Sequence, residues 1–404
     1  MEVVECAKKI KEKGGRLYLV GGAVRDKLLG LEPHDRDYCV TGLSQDEFEN
    51  MFDNIYLRGK KFAVYDINGE EFALARRDKK VGMKHNDFEV DIQKEITIQE
   101  DLSRRDVTIN SIAIDVLTGQ IIDPFNGRKD IENKVIRATS EAFGEDPLRV
   151  YRVAVLATRY NFEIEDKTIE LMKSLNKDLK YISGERVLEE LKKALRCNKP
   201  SIFFQVLKKA ECLQEHFKEI YDLIGVEQPV KYHPEGDAFN HTMEVVDRAA
   251  MVTSDVKIRF CALVHDLGKA LTPQSNWPHH YNHEKLGVKP ITSLCKRLHI
   301  SNEWRKSAIT SCTEHMLGGK YYQLKNSTKV DLFERVYKSQ LGLEGLEIIV
   351  NADKHPQNRI QFAKIGEYIM KNINGKEMTG IKDYKALREK IRQKRIAYLI
   401  KEYT

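Results

Sequence analysis

The sequence predicts an α+β chain: an N-terminal domain on a small mixed sheet, then an all-α segment, then a second all-α domain. Three observations carry this. Short β-branched or aromatic runs ("RLYLVGG", "RDYCVTG", "KFAVYDI", "EEFALAR", "FEVDIQ", "QIIDPF"), punctuated by Gly, Asn and Asp, end near residue 140. From "GEDPLRVYRVAVLATRYNF" onward the helical period dominates, with Leu148, Tyr151, Arg152, Val155 and Leu156 on one face. A looser stretch, "GVEQPVKYHPEGDAFNH", carries two prolines and two glycines and leads into a further helical unit. The boundaries fall at 1–140, 141–226, 227–356 and 357–404, the last being a basic helical tail that reads first as a solvated face and second as an RNA contact.

Composition sets wide limits. With 404 residues there is room for roughly two to four domains. A hydrophobic fraction of 41%, a charged fraction of 32% and a formal charge of +6 describe an ordinary soluble protein that permits a polyanionic partner without requiring one. Seven scattered cysteines without Cys-x-x-Cys spacing fit a reduced compartment. The charged start "MEVVECAKKIKEKGG" and the lack of any membrane-length apolar run place the expected location in the cytoplasm, with no membrane.

The first chemistry lies in "LYLVGGAVRDKLLG", which reads as strand, Gly-Gly turn and helix. Two glycines at that junction let a polyphosphate approach the backbone, and Arg25 in the first helical turn suits a phosphate oxygen. Downstream, "HDRDYCV" sets Asp35 and Asp37 on one side of an extended segment with Arg36 opposite. Like charges that close disfavour joint ionisation unless a cation joins them, and Mg²⁺ bridging to phosphate oxygens is the usual answer. Alone, the same four residues are equally a polar turn entering a strand. Farther on, helical spacing puts Asp146 and Arg149 on one face, an acceptor and donors fit to read a base edge.

"LVGGAVRDKLLG" followed by "HDRDYCV" resembles the catalytic head of the class II nucleotidyltransferases, which include bacterial tRNA CCA-adding enzymes and poly(A) polymerases. "EDLSRRDVTINSIAID", "IIDPFNGRKDIENKVIRAT", "GEDPLRVYR" and "SGERVLEEL" agree in the family's order, covering about half the chain. The resemblance implies two-metal phosphoryl transfer, with Asp35 and Asp37 holding Mg²⁺ and Gly22 and Arg25 binding the triphosphate. Arg105 and Asp106 would contact ribose or phosphate, Asp146 and Arg149 would choose the base, and Arg152 would reach phosphate; Val155 stands where some relatives carry a further arginine. A third carboxylate completes such a site. Glu71 is the candidate, with Glu70 and Asp91 as alternatives, and the charged "RRDKKVGMKHNDF" reads as a flexible loop.

Among the 12 histidines, a buried-looking His265–Asp266 pair follows the apolar run "CALV" and precedes Gly-Lys. Such a charged pair needs compensation, which a metal supplies. With "FNHTMEVV", "HHYNHEKLG", "TEHML" and "NADKHP", it resembles the His-Asp (HD) superfamily of metal-dependent phosphohydrolases. By that pattern His241, His265, Asp266 and Asp353 hold a divalent transition metal, nickel among the candidates, while Lys269 meets a phosphate. His283 and His315 stand behind these ligands or hold a second metal.

An HD unit after the helical segment is similar to the longer, multifunctional CCA-adding enzymes, whereas the poly(A) polymerases of the group carry long basic extensions. The resemblance therefore implies addition and repair of the tRNA 3′-CCA end from CTP and ATP, plus removal of phosphate or opening of 2′,3′-cyclic phosphates. The expected partners are tRNA, CTP and ATP, in a monomer or homodimer. The competing expectations are a poly(A) polymerase, an HD phosphohydrolase with a relic head, and a non-catalytic tRNA-binding protein.

Overall fold

The computed structural model of the protein describes residues 2–33, 35–52, 55–59, 64–80, 88–231, 233–354, 359–375 and 383–403. Contacts divide the chain into two units, Met1–Ile182 with Lys209–Cys212, and Ser183–Lys208 with Leu213–Thr404.

The first unit is built on a mixed sheet. Its strands are β1 (Arg16–Val20), β2 (Asp37–Thr41), β3 (Tyr56–Gly59), β4 (Val64–Ile67) and β5 (Glu70–Leu74), with β8 (Ala113–Asp115) and β9 (Ile121–Ile122) following the separate strands β6 (Arg77–Lys80) and β7 (Phe88–Asp91). The order across the sheet is β3-β4-β5-β2-β1-β8-β9, and only the β2–β5 pairing is parallel. Strand alternation gives each face its own core. Leu17, Tyr38, Val40, Phe72 and Leu74 pack on one side with Ile10 and Phe48, whereas Tyr18, Val20, Cys39 and Ala75 pack on the other with Ile98 and Leu102. Asp37 and Glu71 share the parity of Cys39 and Ala75, so the second face ends in carboxylates just where the helix Ile98–Ser103 covers it. That helix starts at a capping box: the Thr97 hydroxyl accepts from the Glu100 N–H while the Glu100 carboxylate accepts from the Thr97 N–H.

Two local expectations need correction. The charged stretch read as a loop is, in its described part, a hairpin of β6 and β7, with Arg77 registered against Asp91 and their side chains 3.4 Å apart; residues 81–87 lie outside the described residues. The helix Arg149–Tyr160 does not bury one stripe containing Arg152. Val150, Tyr151 and Val153 to Thr158 are all buried, leaving Arg152 and Arg159 exposed.

The second unit is helical. Its central helices are Ala238–Val252, Val256–Val264, Asn302–Gly319 and Gly342–Asp353. Val256–Val264 is buried from Ile258 to Val264, including Arg259, whose guanidinium donates to the carbonyls of Leu195, Cys197 and Ala250, and Asp255 caps the helix by accepting from the Lys257 N–H at 2.8 Å. The last helix, Tyr384–Tyr403, spends part of its basic face on its own unit: Arg392 reaches Asp331 at 3.0 Å and Arg395 reaches Glu334 at 2.7 Å.

Candidate functional site

In the first unit the site grows from the sheet register. Val20 pairs with Asp37, and Asp37 pairs in parallel with Glu71, so the Gly21–Gly22 turn and two carboxylates meet at one edge. Asp35 lies in a bend before β2 rather than within the strand. Asp37 is open to solvent yet crowded from within: partial burial raises its pKa, Arg105 opposes this, and Glu71 and Asp35 push it further up. A carboxylate pushed up by two others is short of positive charge, and three hard oxygen donors suit Mg²⁺. By register Glu71 is the carboxylate beside Asp37, whereas Glu70 pairs with Ile67 and Asp91 belongs to the β6–β7 hairpin.

Gly21 takes φ +72°, and a Cβ there would lie 2.9 Å from Arg105 Nη1 and 4.0 Å from Asp37 Oδ2. The backbone thus favours glycine, and a side chain there would have to displace the guanidinium that leans over the turn. Arg105 is aimed by Asp101, whose Oδ2 accepts from its Nη2 at 3.0 Å while Oδ1 accepts from Arg104 Nη2 at 2.6 Å. Asp101 is fully buried, which by itself would raise its pKa, yet the two guanidiniums hold the carboxyl well below the usual range.

Arg25 is not displayed above the turn. It is buried, donating to Asp26 Oδ1 at 2.9 Å and to Asn110 Oδ1 at 2.5 Å, with its guanidinium 4.7 Å from the Tyr160 ring. The adjacent Asp26 draws it inward, a pairing that helix spacing alone does not suggest. Asn110 in turn donates to Asp106 Oδ1 at 3.0 Å, and Asp106 Oδ2 accepts from Arg152 Nε at 2.8 Å. Burial opposes ionisation of Asp106, but Arg152, Asn110 and Arg149 overcome it and keep its pKa below the ordinary carboxylate range.

Asp146 and Arg149 do not share a helical face. Asp146 is extended (φ −121°, ψ 107°) because it precedes Pro147, and the helix begins at Arg149. The two are joined by the turn itself, the Arg149 N–H donating to the Asp146 carbonyl at 3.0 Å. Arg149 also donates to the carbonyls of Ala142 and Arg104, which use two of its five N–H groups and fix its plane.

In the second unit, side chains far apart in sequence converge. His241 Nε2 lies 2.9 Å from Asp353 Oδ1 and 3.5 Å from Asp266 Oδ2, while His265 Nε2 lies 3.2 Å from Asp266 Oδ2 and 3.6 Å from Asp353 Oδ1. On the other oxygen of Asp266, His283 Nε2 and His315 Nε2 approach to 3.2 and 3.4 Å. His265, His283 and His315 each donate Nδ1–H to a backbone carbonyl, of Ala262, His280 and Cys312, which turns every Nε2 lone pair inward. His241 is held instead by Glu235, whose Oε1 is 2.6 Å from its Nδ1. A Cβ on Gly268 would collide with the His283 carbonyl, so the glycine after Asp266 permits this closeness.

The donor set fits a metal. His265 Nε2 and Asp266 Oδ1 are buried without a hydrogen-bond partner, and the ligand atoms of His241, His265, Asp266 and Asp353 all lie within 4.8 Å of one another, as do those of Asp266, His283 and His315. Burial disfavours charge on His241 and His265, yet Asp266, Asp353 and, for His241, Glu235 raise their pKa values to about 10 and about 9. The carboxylates that raise these values are the negative charge a cation would meet, and a bound cation would take the place of the imidazole protons. Lys269 is nearly buried, its Nζ 2.6 Å from both Asp266 Oδ2 and Gln228 Oε1.

Sequence reasoning missed Asp26, Asp101, Asn110, Gln228 and Glu235. Asp101 had a signal, standing four residues before Arg105 at helical spacing, whereas Glu235 and Gln228 lie in a Pro/Gly-rich stretch whose spacing shows no partner.

Residues 17–137 match the poly A polymerase head domain, 161–223 the probable RNA and SrmB-binding site of polymerase A, and 238–354 the HD domain. In overall structure the chain is similar to a CCA-adding enzyme with ATP (TM-score 0.67, 21% identity, 97% of this chain and 88% of that one). It is also similar to a Thermotoga maritima CCA-adding enzyme complexed with tRNA (TM-score 0.66, 20% identity, 97% and 89%). Fold and site thus define a nucleotidyltransferase with a second, HD-type metal domain. It is 43% identical to a multifunctional CCA protein of Haemophilus influenzae over 82% of this chain and 83% of that one, and 38% identical to one of Pseudoalteromonas atlantica over 94% and 98%. The chain belongs to the multifunctional CCA protein family.

Proposed function

We propose that the protein adds and repairs the 3′-terminal CCA of tRNA from CTP and ATP, and that its HD domain hydrolyses phosphoester ends. The observation that carries the first activity is the register that sets Asp37 beside Glu71 under Arg105 and the Gly21–Gly22 turn. Asp35, Asp37 and Glu71 would hold Mg²⁺, which when bound neutralises triphosphate charge and makes the primer hydroxyl more acidic. Arg105 and the backbone at Gly22 receive the triphosphate, and Arg25 supports that wall from within through Asp26 and Asn110. Asp106, kept ionised, accepts from a ribose hydroxyl, and Asp146 with Arg149 reads the base edge. Arg152, exposed beside them, reaches phosphate.

His241, His265, Asp266 and Asp353 would hold a divalent transition metal, nickel among those suited to imidazole and carboxylate, which supplies an activated water and charge neutralisation. Lys269 orients Asp266 and meets the phosphate. The work divides as 1–140 for transfer, 141–226 for base choice and RNA contact, and 227–356 for hydrolysis, with 357–404 as a tail. The solved relatives with ATP, CTP and tRNA support those partners, and the cytoplasm is the place proposed for the reaction; no helix among the described residues is long and apolar enough to cross a membrane. The test is a tRNA ending before CCA, incubated with each labelled nucleotide. Incorporation of two C and then one A is expected; uptake of A alone makes the protein a poly(A) polymerase.

A further inference from the structure

The two carbonyls that accept from Arg149 belong to separate segments of the first unit. Arg104 follows the last residue of the helix Ile98–Ser103, and Ala142 lies in the 3₁₀ turn Glu141–Glu145 that leads to Asp146. Carbonyls at the end of a helix find no acceptor's partner within it, so Ser103 and Arg104 take donors from elsewhere in the chain. The plane of the Arg149 guanidinium is set by both of its carbonyls at once, and hence by the spacing of the segments that carry them.

One small side chain ties those segments together at that place. The Ser140 hydroxyl donates to the Ser103 carbonyl at 2.8 Å and accepts from the Ala142 N–H at 3.2 Å. A single oxygen is thus bonded one residue before Arg104 and on Ala142 itself. Ser140 is extended (φ −161°, ψ 179°), which lets its side chain cap the 3₁₀ turn. The same segments also meet farther along, where the Thr139 N–H donates to the Asp106 carbonyl at 3.2 Å and the Thr139 and Ser111 hydroxyls are 2.7 Å apart. Those contacts touch neither carbonyl that Arg149 uses.

Cytosine and adenine present a ring acceptor beside an amino donor, whereas uracil and guanine present the reverse. A guanidinium that donates and a carboxylate that accepts choose between the two patterns only while they are held to within about 0.5 Å. We propose that Ser140 is a positioning residue for base choice: its hydroxyl fixes the spacing of the Arg104 and Ala142 carbonyls, and through them the plane in which Arg149 meets the incoming base. This deepens the base-reading role of Asp146 and Arg149 and rests on it.

The test is the ratio of kcat/KM for CTP to that for UTP, measured with the full-length enzyme on a tRNA ending before CCA. A weaker grip on triphosphate or a less stable fold lowers both values alike and leaves the ratio unchanged, whereas a misplaced guanidinium lowers the ratio. Ser140→Ala should lower it about tenfold, and Ser140→Thr, which retains the hydroxyl, should restore it. Thr139→Val loosens the same pair of segments away from the two carbonyls and should keep the parent's ratio. A Ser140→Ala enzyme as selective as its parent overturns the proposal, as does an equal loss of selectivity in Thr139→Val or Ser140→Thr. If Arg149→Lys loses selectivity while Ser140→Ala does not, the role of Ser140 falls and the base-reading role stands. If Arg149→Lys selects as the parent does, both fall.

Discussion

Asp37 and Glu71 are partners in the one parallel pairing of the sheet, so their side chains leave the same face side by side. Asp37→Ala should therefore abolish nucleotide addition while leaving HD phosphohydrolysis intact, and Glu71→Gln should slow addition roughly tenfold or more. Asp91→Asn, in the hairpin, should have little effect. Single-turnover addition to a truncated tRNA measures all three; a Glu71→Gln enzyme as fast as its parent would remove Glu71 from the site.

Asp101 aims two arginines, and its loss should be felt as both stability and affinity. Asp101→Asn removes the buried carboxylate that two half-buried guanidiniums share, which costs about 2 kcal/mol in chemical denaturation. Weaker triphosphate binding should accompany it, since Arg105 leans over the Gly21 turn.

The acid limb of stability follows from the same group. Asp101 and Asp106 have folded-state pKa values below their unfolded ones, near 4 for Asp. Their contribution is complete above the unfolded value and drains away as pH falls toward the lower folded values. Denaturation midpoints followed from pH 5 downward should fall steeply in the parent and less steeply in Asp101→Asn. Parallel curves would show that Asp101 is not the group responsible.

Glu235 holds both His241 and His233, its Oε1 2.6 Å from His241 Nδ1 and 3.0 Å from His233 Nδ1. Glu235→Gln should weaken metal binding by roughly 10–100-fold without removing a ligand. Equilibrium dialysis with nickel or cobalt reads this directly. An unchanged affinity would mean that His241 is held without Glu235.

Metal should also stabilise the second unit. A divalent ion that binds the native centre raises its unfolding temperature with the logarithm of free ion concentration once that exceeds the dissociation constant, and His265→Ala should abolish the shift. Chelation should remove hydrolysis; nucleotide addition should then return with Mg²⁺ alone.

Periodicity and turn chemistry carried much of the fold. The strand, Gly-Gly turn and helix at residues 16–28 are visible because glycines interrupt an apolar run, and the buried helix before His265 is visible because it ends in the apolar run Phe260–Val264. What stayed hidden was set by contacts distant in sequence. Arg25 faces inward because Asn110, 85 residues later, accepts from it. His241 and Asp353 touch across 112 residues, which no local spacing encodes. Asp146 was a different case: the following proline was in plain view, and its steric rule outweighs helical periodicity.

One chain of contacts in the first unit closes on itself. It runs from Arg159 and Tyr160 to Asp26, through Arg25, Asn110 and Asp106, and back to Arg152 on the helix where it began. Anyone grafting that helix between relatives to exchange base preference would sever both ends of the loop at once. Asp26, Asn110 and Asp106 must travel with it, so the smallest transplantable unit is discontinuous in sequence although it is continuous in space.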